Sequence, residues 1–340
     1  MATTRHIAYG LELHASFALL GMRAAEAARP DDGEGELPSL TLEQVEPEEL
    51  LAAWSGPAAT PAWTGTLGDG RSLRIEHGAD GDVLFTHRER ARFRLDRAAE
   101  HLECAPLEPG PAWQQTLLGR VLPNVAILHG YEALHASALR SPRGVVAILA
   151  PAGMGKSTLA LELVGRGWPL FTDDVLILGR GPKGVCTHRG TPHMNLARRT
   201  IERTEPELLG ASWSLFEGER WVSLSGRAWS GGDAADTLSL VCLLERLPTG
   251  GRGLEPLPSM PLALGPYMLG PPGEPREREA ARFELYADLM DTARLVRLSC
   301  ERSASPTELA ELVEGGLDGS TTSLPSPNAG NDAIAAGGAR

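Results

Sequence analysis

The sequence predicts an α/β fold: a sheet parallel at least in part, bearing a phosphate-loop domain, preceded by a small N-terminal β-rich or α+β unit. Three observations carry this. Between residues 134 and 178, apolar strand-like runs alternate with one amphipathic helix, the order of a βαβ unit. A Gly-Met-Gly-Lys-Ser segment joins the second of those runs to the helix. Residues 41–106 instead break into short segments separated by turn signals.

With 340 residues, about two domains are expected, and the chain can bury a core without disulfides or a structural metal. The balance of 32 Lys+Arg against 44 Asp+Glu leaves a net charge of −12, so no nucleic-acid partner and no anionic membrane are expected. Only two lysines occur, Lys156 and Lys183, and a rare lysine is a poor candidate for surface filler. Cys104, Cys186, Cys242 and Cys300 include no C-x-x-C pair, which excludes a dense disulfide framework and argues against a zinc site. Reduced, buried thiols in a cytoplasmic protein are expected. Glu12 and His14 interrupt the early apolar stretch, so it does not read as a signal peptide. No run reaches the roughly 18 apolar residues of a membrane span.

In chain order, residues 7–17 read as strand-like and 29–38 as an exposed loop. Gly68-Asp69-Gly70 and Ala79-Asp80-Gly81-Asp82 mark turns, and 83–85 and 91–95 mark strands. Residues 1–110 are assigned to an accessory domain without a motif. Residues 113–128 repeat apolar positions at helical spacing, with a break expected at Pro123. Strands are expected at 134–139 and 145–149 around the turn Ser141-Pro142-Arg143-Gly144. A helix at 157–166 ends at Gly165 and Gly167, and strands follow at 170–172, 175–178, 221–224 and 238–245. Helices are expected at 276–298 and 307–317, closing a catalytic domain over 111–317. Residues 318–340 read as a disordered tail. No internal repeat is evident.

The chemistry concentrates in Ala150-Pro151-Ala152-Gly153-Met154-Gly155-Lys156-Ser157-Thr158. A phosphate loop wants Gly, four residues, then Gly-Lys-Ser/Thr; here Ala150 stands at the first glycine, which its methyl permits only at negative φ. In this reading residues Ala152 to Thr158 bind nucleotide. Gly153 and Gly155 let backbone N–H groups turn inward onto phosphate oxygens. Lys156 would neutralise β- and γ-phosphate charge, the Ser157 hydroxyl would ligate Mg²⁺, and the helix N-terminus adds its dipole. Asp173 follows Lys156 by 17 positions, and a neighbouring strand would bring the Asp173-Asp174 pair to the same sheet edge. Asp173 could take a proton from a hydroxyl while Asp174 orients the metal. His135 lies in a preceding strand-like run; alone, such a residue is more often a core histidine.

Taken together, His135-Ala136-Ser137, the loop, Leu161-Glu162-Leu163, Arg166-Gly167 and Thr172-Asp173-Asp174 resemble the catalytic domain of HPr kinase/phosphorylase and its relatives. The close match spans 134–178. A looser likeness runs from Leu122-Pro123 to Glu245 and includes Gly218-Glu219-Arg220-Trp221-Val222. It is nearer to divergent members that serve ribosomal (lasso) peptide biosynthesis. The resemblance implies a phosphoenolpyruvate-carboxykinase-like fold, ATP, Mg²⁺ and phosphorylation of a serine hydroxyl. It implies Asp173 as base, Asp174 as metal ligand and His135 as a charge-stabilising neighbour. Two departures stand out. Thr187-His188 precede Arg189-Gly190 where the family has an acidic residue, and the motif linked to phosphorolysis is not visible. The expected function is an ATP-dependent kinase acting on a peptide or small protein, a lasso-peptide precursor included. A small-molecule kinase and a non-catalytic nucleotide-binding regulator are the alternatives. Oligomeric state stays open, a homo-oligomer included.

Overall fold

The apolar run after Gly144 becomes the strand Gly144–Leu149, buried along its whole length as befits a sheet interior. In the computed structural model, the described residues are 3–25, 37–58, 63–66, 72–88, 90–181, 184–216, 218–224, 226–231, 235–248, 252–257, 261–270, 276–317 and 323–324. Lys183, the turn at 68–70, most of the loop expected at 29–38 and nearly all of the expected tail lie outside them. Ser323 and Leu324 are an exception to that tail, because they pair with Arg252 and Gly253 at the margin of the central sheet.

Gly144–Leu149 runs parallel to Asp236–Leu247, which runs parallel to Arg294–Glu301. The helix Lys156–Gly165 connects Gly144–Leu149 to Leu170–Thr172. Those two strands are not neighbours: Ser137–Ser141 lies between them, antiparallel to both. The eleven-stranded sheet is therefore mixed rather than a simple parallel βαβ array. Its other arm holds Gly184–His188, Leu176–Gly181, Glu132–Leu134 and Met268–Leu269. Helix Lys156–Gly165 covers one face through Leu159, Ala160, Leu163 and Val164, beside helix Pro306–Leu317. Gly167, at φ +93°, ends it in the left-handed conformation that favours glycine. Three strands, His193–Ala197, Glu219–Ser223 and Ser212–Phe216, form a small separate sheet.

Three expectations need correction. Residues 134–139 are not one strand: Leu134 pairs with Leu176, whereas Ser137 pairs with Ile148, so the chain changes neighbours at His135-Ala136. The helical run at 113–128 is not broken at Pro123. A wider π turn at Leu117–Val121 precedes the proline, which sits in the first turn of Leu122–Leu128, where a missing N–H is tolerated. The helix expected at 276–298 ends at Thr292. Residues 294–301 instead form a strand with Leu295, Val296, Leu298 and Cys300 buried, in register beside Asp236–Leu247.

The N-terminal strands make a sheet of eight, larger than the small unit expected. It begins with the hairpin Thr4–Ala8 and Leu11–Ala15, where 7–17 read as one strand, and alternation of Leu11, Leu13 and Ala15 buries one face. That face shares a core with the helical run 113–128, Ala133, Val175, Ile177 and Trp221. Trp113 is central, with Phe17 at 5.4 Å and Phe93 at 6.2 Å between ring centroids. All four cysteines are buried, and none of them forms a disulfide among the described residues. Among the described residues no helix is long and apolar enough to cross a membrane.

Two buried histidines make stability pH-dependent. His193 stacks on Trp221 at 3.9 Å, and burial pushes its pKa down to about 3; burial likewise pushes His188 to about 4. Their folded values lie below the ordinary 6.5, so the unfolded chain takes up protons first. Stability should be level above pH 6.5 and fall below it, by about 1.4 kcal/mol per pH unit for each histidine. Melting temperatures from pH 8 to 4.5 check this, and His193→Phe should make the acid limb shallower.

Candidate functional site

The loop between Gly144–Leu149 and Lys156–Gly165 holds Gly153 at φ +77° and Gly155 at φ +99°. Ala150 is fully buried and is not among the residues with positive φ, so its methyl is accommodated where a glycine was expected. The Met154 carbonyl accepts a bond from Arg246 Nε at 3.2 Å, and Arg246 also donates to the carbonyls of Glu301 and Ala304. One arginine thus ties the loop to the turn before Pro306–Leu317.

Lys156, the first helical residue, directs its ammonium at both aspartates. Nζ lies 3.4 Å from Asp173 Oδ1, 3.4 Å from Asp174 Oδ1 and 3.1 Å from Ser137 Oγ. Burial works against its charge, but the two carboxylates outweigh it and hold its pKa above the ordinary lysine value. The amine is charged at neutral pH.

The two aspartates are held differently. The Asp173 side chain is 1% exposed and accepts bonds from Ser157 Oγ at 3.1 Å, from the Asn195 backbone N–H at 3.2 Å and from Ser137 Oγ. Asp174 has a left-handed backbone, φ +68°, a strained state for a non-glycine residue, and opens onto a cavity of about 360 Å³. Its Oδ2 accepts from Asn195 Nδ2 at 2.6 Å, with Arg120 Nη2 at 3.9 Å. Burial would raise the Asp174 pKa, but Lys156, Arg120, His135 and the Asn195 bond reverse that and bring it to about 2.

His135 lies in the two-residue break between strands, its N–H donating to the Tyr267 carbonyl. Nδ1 donates to the Asp174 carbonyl at 3.0 Å and so braces the strained residue, leaving Nε2 available as an acceptor. Burial and the nearby Lys156 lower its pKa, so it is a neutral imidazole at pH 7 rather than a standing positive charge. His135→Gln is expected to lower turnover about tenfold per folded molecule with little change in melting temperature. Wild-type turnover would return the residue to a packing role.

The expected residues His135, Lys156, Ser157, Asp173 and Asp174 therefore come together, and Ala152, Gly153, Gly155 and Thr158 line the same cavity, with Met154 in the adjoining trench. Sequence reasoning missed Arg120 and Asn195 and gave no role to Glu219, which it met only in the looser likeness; the three complete the wall. Arg120 arrives on the π turn and Asn195 on His193–Ala197, and no local pattern marks either. Glu219 is half-buried, and burial together with the field of Asp174 and Asp173 raises its pKa. Past Gly155 and Thr158 the cavity meets a trench of about 1110 Å³ along the helix, bordered by Arg199, Arg203, Arg246 and Arg302.

No family model and no curated protein matches the chain. Among solved structures, it is similar to the Hpr(Ser) kinase/phosphatase from Coxiella burnetii at 13% identity and a TM-score of 0.28. The match covers 54% of this chain and 89% of that one.

Proposed function

We propose that this chain is an ATP-dependent kinase that phosphorylates a hydroxyl, a serine on a peptide or small protein being the acceptor. One observation carries the reading. The Lys156 ammonium and Ser157 hydroxyl of a glycine loop converge with two carboxylates at the mouth of a helix, within 3.1–3.4 Å. Such a constellation pairs an anion-binding backbone with a cation and a proton acceptor, which is what phosphoryl transfer needs.

The residues present fit Mg²⁺. Ser157 Oγ and Asp173 are adjacent hard oxygen donors, and Asn195 Oδ1 is buried with no hydrogen-bond partner among the described residues. Among those residues no group of three His, Cys, Asp or Glu side chains could hold a metal. An ion here would lean on substrate phosphates, as Mg²⁺ commonly does. When bound, it offsets the negative charge of the phosphate oxygens.

The residues divide the remaining work. Backbone N–H groups of the loop and Lys156 hold the β- and γ-phosphates, while the trench gives the nucleoside room. The acceptor hydroxyl enters the smaller cavity, its oxygen bonds to the γ-phosphorus, the bond to the β,γ-bridging oxygen breaks, and ADP departs. The hydroxyl proton passes to Asp174. This reverses the expected roles of the pair. Asp173 is closed off and engaged with Ser157, the position of a metal-side residue, whereas Asp174 faces the cavity.

The test is incubation of the chain with γ-labelled ATP, Mg²⁺, a peptide library bearing serines and a pool of small hydroxyl-bearing metabolites. Label on peptide together with ADP supports the proposal. Label on small metabolites only would favour the small-molecule kinase, and binding without ADP formation would favour a regulator.

A further inference from the structure

We infer that the N-terminal sheet belongs to the catalytic unit, with Tyr9 at the tip of its first hairpin acting as a positioning residue for the Asp173-Asp174 turn. Tyr9 and Gly10 form the two-residue turn, with φ +59° and +75°. Turns with both residues left-handed favour Asn-Gly, and a bulky residue there is disfavoured by its Cβ. A tyrosine in this place is explained by what it touches.

Tyr9 is 1% exposed although it sits at a hairpin tip. Its backbone N–H donates to the Arg189 carbonyl at 2.6 Å, and its hydroxyl is hydrogen-bonded to Thr191. The ring lies against Gly190. A Cβ on that glycine would stand 2.9 Å from Tyr9 Cε1 and 2.1 Å from Thr172 Oγ1. The Tyr9 ring and the Thr172 side chain therefore converge on the open face of Gly190 and leave no room there for a side chain. Gly10 is seated equally closely, because a Cβ there would meet His188 and Tyr131 at 3.0 Å.

Thr172 begins the acidic turn. Its hydroxyl donates to the Val175 carbonyl at 2.6 Å, the Val175 N–H returns to the Asp173 carbonyl at 2.9 Å, and the Gly190 N–H donates to the Phe171 carbonyl at 3.0 Å. Downstream of Gly190, the chain enters His193–Ala197, whose Asn195 bonds both aspartates. The hairpin tip thus packs with the Thr172 side chain, which closes the turn, around Gly190, and is bonded to the segment that leads to Asn195. A second tie reaches the Arg120 side of the cavity: the Leu20 N–H donates to Gln114 Oε1 at 2.9 Å, and Gln114 Nε2 donates to the Ala18 carbonyl at 3.0 Å. Leu20 and Ala18 thus anchor the start of the helical run that carries Arg120.

The activity arm of the test rests on the proposed phosphoryl transfer; the exchange arm does not. In the full chain, Tyr9→Asn suits the turn but removes the ring, and Tyr9→Phe removes only the hydroxyl. Amide hydrogen exchange over residues 171–176 is expected to accelerate at least tenfold in Tyr9→Asn and about threefold in Tyr9→Phe, with 306–317 unchanged. Turnover should fall in the same order while KM for ATP stays within about threefold. Unchanged exchange over 171–176 in both variants would overturn the inference whether or not the chain is a kinase. Should Tyr9→Asn not fold, Tyr9→Phe decides it by the same criterion.

Discussion

Lys156→Met is expected to abolish both turnover and stabilisation by Mg-ATP, and to destabilise the nucleotide-free protein as well. The second effect follows from burial. Lys156 is 7% exposed and lies between two carboxylates, and breaking a buried ion pair by removing one partner costs about 3–5 kcal/mol. The pH dependence gives the variant a signature. In the wild type the Asp174 pKa of about 2 lies below the ordinary 3.8. Its contribution, on the order of 2 kcal/mol, is present above pH 3.8 and lost as pH falls through 2. Without Lys156 the Asp174 pKa rises, and protonation relieves the repulsion between the two carboxylates. The stability gap between Lys156→Met and the wild type should therefore narrow as pH falls through the raised Asp174 pKa, while the buried histidines draw both proteins down alike. Melting curves with and without 100-fold excess Mg-ATP over its Kd read both effects, because saturation at that level is worth about 2.7 kcal/mol. An equal ligand-induced shift in both proteins would remove Lys156 from the phosphate site.

Asp174→Asn is expected to lower turnover by about 10²-fold or more with ATP affinity nearly intact, since the amide keeps the shape and loses the proton acceptor. Asp173→Asn should act differently. It disturbs the partner of Ser157 Oγ, so the Mg²⁺ dependence of nucleotide binding should weaken along with turnover. Steady-state kinetics over a Mg²⁺ titration separate the two. If Asp173→Asn spares metal dependence and Asp174→Asn shifts it, the roles return to the order that the sequence alone suggested.

What was legible in the sequence is what is local in the chain. The strand–glycine–helix passage from Gly144 to Gly165 and the short spacing to Asp173 are contained within 30 residues, and each part constrains its neighbour. The rest depends on distant partners. Asn195 and Arg120 reach the site only because a small sheet and a π turn carry them there. Residues 294–298 read as helix because a short apolar run lacks a decisive period, and the pairing of 294–301 with Asp236–Leu247 decides it. The break at His135-Ala136 is likewise invisible locally, since each half is strand-like and only the change of neighbours separates them. Tyr9 carried no motif at all; its meaning lies in Gly190 and Thr172, far along the chain.

The central claim is that the loop at 150–158 holds a nucleoside triphosphate against the Lys156–aspartate cluster. Isothermal titration of the full chain with ATP, in the presence and absence of Mg²⁺, tests it most directly. The account predicts one saturable site, tightened at least tenfold by Mg²⁺ and lost in Lys156→Met. No heat of binding at millimolar Mg-ATP, or binding that Lys156→Met leaves intact, would contradict it.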